Sequence, residues 1–245
     1  MKTETTDLSS YVPPGLRTPK IANIVFDECG EELIARLNEA FRGRRGIEDL
    51  AGYRPNQPLS FLNTPRQLYH NGTLRRVTNN RFHVVSAEQA IEGWDAIPEL
   101  SDTYADTSDI VIFPGVGVNE KHRQHVLSLI GDRYRTAKVP LLVGGLTVEP
   151  SDSFDEGFAF KGTDYMDVRE VEWMVRDQKV AYDPKKGVVP AEKGVQVWVP
   201  SSQSGLGGVD RDRDGLFAGW DGVGLLGADE SGRVQVAQAP RARSA

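Results

Sequence analysis

Apolar residues gather into short runs separated by long polar stretches, and these runs set the expected elements. Ile21 to Phe26 reads as a strand, and Asp27 to Gly30 as a turn. Leu33, Ile34, Leu37, Ala40 and Phe41 then share one face of a helix that Gly43 ends. Residues 43–81 are polar and irregular, with Pro55, Pro58 and Pro65 and no clean period. Phe82 to Ser86 resumes as a strand. Ser86 and Gln89 have the spacing of a capping box for a helix that Pro98 kinks or splits. Asp109 to Phe113 is the strongest buried-strand signal. A helix over about Asn119 to Ala137 follows, burying Val126, Leu129, Ile130 and Tyr134, and Val139 to Gly144 is a further apolar run. Strand, helix and strand with short joints predict parallel pairing through right-handed crossovers.

The pattern changes after Pro150. Phe158 and Phe160 alternate with polar residues, as do Val171, Trp173 and Val175, then Val180 and Tyr182, then Val195, Val197 and Val199. A period of two predicts half-buried strands, with a hairpin near Asp177–Gln178. A helix over 166–178 is the rival reading, carried by Met166, Val171, Met174 and Val175. Residues 201–245 are rich in Gly, Asp, Ser and Arg and read as an extended, poorly packed tail. Residues 1–20, polar and carrying Pro13, Pro14 and Pro19, read as a disordered lead-in. The expected organisation is therefore a lead-in (1–20), an α/β domain (21–200) and a Gly/Asp-rich tail (201–245).

Composition narrows the function classes. The 245 residues carry a net charge of −6, which argues against nucleic acid as the main partner. The densest basic cluster, Arg42, Arg44 and Arg45, is followed at once by Glu48 and Asp49 and reads as a solvated surface. Cys29 is the only cysteine, so no intrachain disulfide forms, which fits a reducing compartment. No run approaches the roughly 18 apolar residues of a membrane helix, and the N-terminus lacks a secretory apolar core. A cytoplasmic protein is expected, with a small-molecule substrate or a protein partner and with homo-oligomerisation left open.

The segment from Ser108 to Pro150 carries the most chemistry. A buried strand ends in Phe-Pro, a loop and helix follow, and the next strand ends in Gly-Gly. Sites in parallel α/β sheets gather at such carboxyl ends, and Gly115 and Gly117 would allow close approach of a ligand or of another backbone. In order along the chain, DIVIFPG, VPLLVGG, VRDQK and VPAEKG resemble the nitrilase, or carbon–nitrogen hydrolase, superfamily. The closest likeness is to the divergent nitrilase-like domains associated with bacterial reverse transcriptases, and it covers about residues 105–200. The resemblance implies a layered α/β sandwich and amide or nitrile hydrolysis. Lys179 then takes the place of the oxyanion-stabilising lysine, and Glu192 that of the supporting acid. The general-base position holds Gly115, and no cysteine follows Lys179, so the implied domain is catalytically impaired. IANIVFDECGEELIARLNEAF and DIVIFPGVG also resemble class I glutamine amidotransferases. There the nucleophile elbow would fall at Gly145 and Leu146, which makes that version degenerate too.

Other residues carry weaker signals. Cys29 stands at a strand–helix turn, where a helix N-terminus favours thiolate, and is the one candidate nucleophile; an inert, partly buried thiol is the preferred alternative. His70, His83, His122 and His125 are the histidines available as a base. His122 and His125 could face one metal from a helix, but nothing flanks them at ligand spacing, and a solvated face is preferred. Asp210, Asp212, Asp214 and Asp221, with Gly215, stand at positions 1, 3, 5, 12 and 6 of a calcium loop. Calcium is thus the only cofactor suggested, and arginines alternating with the ligands and the lack of flanking helices weigh against it.

The combined expectation is a nitrilase-like layered α/β sandwich with a mostly parallel sheet and a β-rich C-terminal extension. Its function is that of an impaired carbon–nitrogen hydrolase-like domain. The alternatives are a non-catalytic binding or assembly module and a degenerate amidotransferase-like domain.

Overall fold

The computed structural model describes residues 6–44, 46–48, 52–60, 63–94, 104–200, 204–219, 225–226 and 232–239. In chain order the elements are β1 (Ile21–Asn23), α1 (Glu28–Ala40), α2 (Thr64–Val77), β2 (Phe82–Val84), α3 (Ala87–Glu92), β3 (Ala105–Phe113), α4 (Glu120–Ile130) and β4 (Leu141–Pro150). There follow β5 (Phe158–Glu170), β6 (Gln178–Asp183), β7 (Gly187–Pro190), β8 (Val195–Trp198), β9 (Gly205–Asp212), β10 (Gly215–Ala218) and β11 (Gln235–Gln238). The strands make an eight-stranded sheet in the order β5-β4-β3-β9-β10-β8-β6-β7 and a three-stranded sheet in the order β1-β11-β2.

The architecture corrects the expected parallel sandwich. Among the described strands only β8 and β10 pair in parallel; every other pairing is antiparallel. The runs Asp109 to Phe113 and Val139 to Gly144 do fall on neighbouring interior strands, but Ile112 lies opposite Leu141, so β3 and β4 run in opposite directions. The reason lies in the connection. A crossover helix must carry the chain the full length of a strand. Here α4 starts at the end where β3 finishes, and residues 131–140, with a 3-10 turn at Asp132–Tyr134, bring the chain back to that same end. The strands after Pro150 are no separate β-rich extension but pair into the eight-stranded sheet; their hairpin turns between Asp183 and Gly187, and residues 166–170 continue β5 rather than form a helix. The kink expected at Pro98 lies outside the described residues.

Local side-chain caps set the starts of α1 and α3. Asp27 caps α1, its carboxylate accepting from the Cys29 and Gly30 backbone N–H groups at 3.0 and 3.1 Å. Ser86 and Gln89 form the capping box of α3. The lead-in departs from the disordered segment expected over 1–20: Leu8 and Tyr11 are buried, and the Arg81 guanidinium donates to the Ser9 carbonyl.

The segment read as a tail supplies the middle of both sheets. Strand β9 lies between β3 and β10, and β11 lies between β1 and β2. Its glycine content has a packing cause rather than a flexible one. A Cβ on Gly208 would stand 2.4 Å from Thr64 Oγ1, because the start of α2 rests directly on β9. Arg211 on β9 is buried between the two sheets, where Nη1 donates to Gln235 Oε1 at 3.0 Å and the guanidinium lies 5.1 Å from the Trp94 ring centroid.

Helix α2 had no apolar period because polar residues surround it and are buried, among them Gln67, His70, Asn71 and Thr73. Gln67 Nε2 donates to the Asp106 carbonyl at 2.7 Å, and Asn71 Oδ1 accepts from Val84 N–H at 3.0 Å, so the helix ties the two sheets together. A chain ending at residue 200 should therefore lose cooperative folding altogether. Thermal melts followed by circular dichroism check this, and a sharp transition in the shortened chain would contradict the central placement of β9 and β11.

Candidate functional site

Two irregularities in the large sheet coincide and part its strands. On β3, the four-residue step from Asp106 to Ile110 faces the two-residue step from Gly208 to Asp210 on β9, so two residues of β3 are extra. On β5, the five-residue step from Gly162 to Asp167 faces the two-residue step from Gly144 to Leu146 on β4. Bulges of this kind re-aim side chains and end regular pairing. Gly145 sits at the second one with φ +70°, and a Cβ there would lie 2.0 Å from the Tyr165 carbonyl oxygen, so only glycine fits. Thr163 Oγ1 donates to the Gly145 carbonyl at 2.5 Å and fixes the bulged loop in place.

The bulges open a cleft of about 230 Å³ between the sheet, the C-terminal half of α2 and the start of α3. Asp109 lies within the β3 bulge and is only 2% exposed. Its Oδ2 accepts from the Ala87 N–H at 2.8 Å, in the first turn of α3. Burial pushes the Asp109 carboxyl up to about 6; the Ala87 N–H and Arg169 oppose this, and Glu88 and Asp167 reinforce it.

Around Asp109 the cleft is polar and mixed in charge. Arg169 is neutralised locally, with Glu88 Oε1 at 2.5 Å and Asp167 Oδ2 at 2.8 Å. Arg75, near the end of α2, donates from Nη1 to Asn80 Oδ1 at 2.5 Å and lies 4.7 Å from the centroid of the Tyr165 ring. It has no carboxylate partner among the described residues, and its Nε is buried without a hydrogen bond. His83 Nε2 lies 3.0 Å from Gln89 Oε1, an oxygen that also accepts from the Ser86 N–H, so Nε2 carries the proton and Nδ1 is left as a buried, unpartnered acceptor. Burial, and then Arg75, bring His83 down to about 4, so the ring is neutral near pH 7. Tyr182 and Tyr165 stand partly exposed at the rim.

The residues singled out from sequence lie elsewhere. Cys29 is fully buried in α1 among Leu8, Tyr11, Ile24 and Leu33, in the core beside the three-stranded sheet. Burial, then Asp27, Glu28 and Glu32, pushes its thiol up to about 12, so these effects outweigh the helix N-terminus. Lys179 is exposed on β6, and Glu192 is exposed in the loop after β7; the two are close in the chain's path because the Ala191 N–H donates to the Lys179 carbonyl at 2.9 Å. Neither they nor Gly115 line the cleft. Asp210 and Asp212 belong to β9, Asp214 to the tight turn into β10, with its N–H donating to Asp212 Oδ1 at 2.6 Å; Asp221 lies outside the described residues. Among the described residues no group of three or more His, Cys, Asp or Glu side chains is placed to hold a metal ion, and no helix is long and apolar enough to cross a membrane. His122 is no solvated residue: it is buried between the Phe154 and Phe158 rings, 4.4 and 4.6 Å away.

Comparison of the chain with protein-family models, with curated proteins and with solved structures finds no match.

Two measurements follow. The folded-state value of Asp109 lies above its unfolded one, so stability falls as pH rises from about 3.8 to about 6 and stays lower above that. Asp109→Asn keeps an acceptor for Ala87 and should stabilise the protein at pH 7.5 by up to about 3 kcal/mol, at about 1.4 kcal/mol per unit. At pH 4 it should have little effect, and urea titrations at the two pH values give the comparison. Cys29 should resist iodoacetamide at pH 8 in the native protein and react promptly in denaturant. Rapid native labelling, read by mass spectrometry, would show the thiol to be accessible.

Proposed function

We propose that the bulge cleft binds a small polar molecule and that Asp109 is the group that exchanges a proton with it. The observation that carries this reading is the position of the Asp109 carboxyl. It is buried, anchored through one oxygen by the Ala87 N–H, and set where two sheet irregularities open a polar cleft. A carboxyl kept only for packing is more stable replaced by an apolar group, because burying it costs free energy that nothing in its surroundings fully offsets. A carboxyl that titrates near neutral pH is suited to general acid–base work.

The reading departs from carbon–nitrogen hydrolysis. Cys29 is buried in the core beside the small sheet, and Lys179 and Glu192 are exposed near the β7 end of the large one, so the three do not share a site. Support for the cleft comes instead from groups with complementary states at pH 7: a neutral His83, a cationic Arg75 and a carboxyl poised between its two forms.

A screen of small polar fragments by nuclear magnetic resonance tests the proposal, with the amide signals of Ala87, Gly145 and Tyr165 as reporters. Fragments should shift these signals, with a pH dependence whose midpoint lies near 6 and disappears in Asp109→Asn. Shifts clustered elsewhere, or a midpoint unchanged by Asp109→Asn, would refute it.

A further inference from the structure

Three buried atoms of the cleft wall lack a hydrogen bond; Arg169 Nε has the Asp167 carboxylate 2.8 Å away, and the other two differ in kind. Arg75 Nε is a buried donor on a full positive charge, and His83 Nδ1 is a buried acceptor on a neutral ring, 7% exposed. Leaving either unmet costs free energy, more so for the charged one. The Arg75 guanidinium is also held in orientation, by Asn80 on one edge and the Tyr165 ring on its face, as an anchor for a planar carboxylate would be.

Charge excludes the simpler ligands. Four carboxyl groups line the cleft, Glu88, Glu92, Asp109 and Asp167, against two guanidinium groups. Arg169 is already engaged by Glu88 and Asp167, which leaves Arg75, near Asp109 but in no ion pair among the described residues. A phosphate or other polyanion would be repelled by the acids. A simple cation would leave the Arg75 Nε–H without an acceptor and compete for Asp109, and a neutral polyol would leave the guanidinium without a direct ion pair. At about 230 Å³ the cleft is also smaller than the roughly 300–1,000 Å³ of drug-sized sites.

We infer that the cleft takes a small zwitterion of the amino-acid kind, its carboxylate on Arg75 and its ammonium on Asp109. The inference rests on the binding reading above and gives the ligand its chemical class. One end of such a molecule supplies the acceptor that Arg75 lacks, and the other supplies donors for Asp109 and for His83 Nδ1.

Calorimetry with free L-amino acids as probes, each compared with its methyl ester and its N-acetyl derivative, tests the inference on the unmodified protein. At least one amino acid should bind, and removing either charge should weaken binding roughly 10- to 100-fold, the range for charge-assisted hydrogen bonds. Arg75→Gln should abolish the preference for acid over ester, and Asp109→Asn the preference for free amine over N-acetyl. An ester that binds as well as its acid would overturn the assignment, and so would the absence of binding by any amino acid. If polar fragments still shift the Ala87 and Tyr165 signals while no amino acid binds, the zwitterion is wrong and the binding site stands. If neither binds, both fall.

Discussion

The structure depends on a helix that is buried by its polar side chains. Helix α2 lies between the two sheets, and its side chains complete hydrogen bonds that the strands leave open: Gln67 at the Asp106 carbonyl, Asn71 at the Val84 N–H. Asn63 caps the helix through Arg66 N–H, and Arg66 in turn donates to the Ile47 and Glu48 carbonyls. Buried backbone groups must be paired, and here the partners come from side chains: the Asp106 carbonyl lies where the β3 bulge interrupts the ladder, and Val84 lies on β2, an end strand of the small sheet. His70 is the residual cost. Both of its ring nitrogens are buried and unpartnered, and burial, then Arg66, bring it down to about 3.

This explains what the sequence made legible and what it hid. Capping chemistry is local, so the Ser86–Gln89 box was readable from spacing alone, while residues 28–30, read as a turn, are the first residues of α1. Continuous apolar runs gave the positions of β3 and β4 but not their relative direction, which depends on the return of residues 131–140. Helix α2 broke the usual pattern because its inward faces are polar. Strand β9 broke it because glycine, not a large apolar residue, suits a strand covered closely by a helix. The cleft was still harder to foresee. Asp109 was visible only as a lone acid opening an apolar strand, and Gly144 and Gly145 as a strand end. Arg75, Tyr165, Asp167 and Arg169 carried no pattern, since bulge register joins residues far apart in sequence.

The same features place stability and binding in opposition. Burial disfavours the charged form of all three groups: the Asp109 carboxylate is hindered, the Arg75 guanidinium is desolvated, and His83 is held neutral. A scaffold selected for stability alone would remove them. They lie together where α2, α3 and the parted sheet meet, supported by an ion pair on one side and an aromatic ring on the other.

The bulge on β3 has an even number of extra residues, and this separates it from the fold. Side chains alternate along a strand with a period of two, so an insertion of two leaves Ile110 and Ile112 facing the same side as they would in an unbroken ladder. A regular β3 two residues shorter would bury the same core and keep its neighbours β4 and β9. The β3 bulge is in this sense a detachable elaboration of its strand, whereas the β5 bulge, with three extra residues, is not: removing it would turn every side chain beyond it to the opposite face.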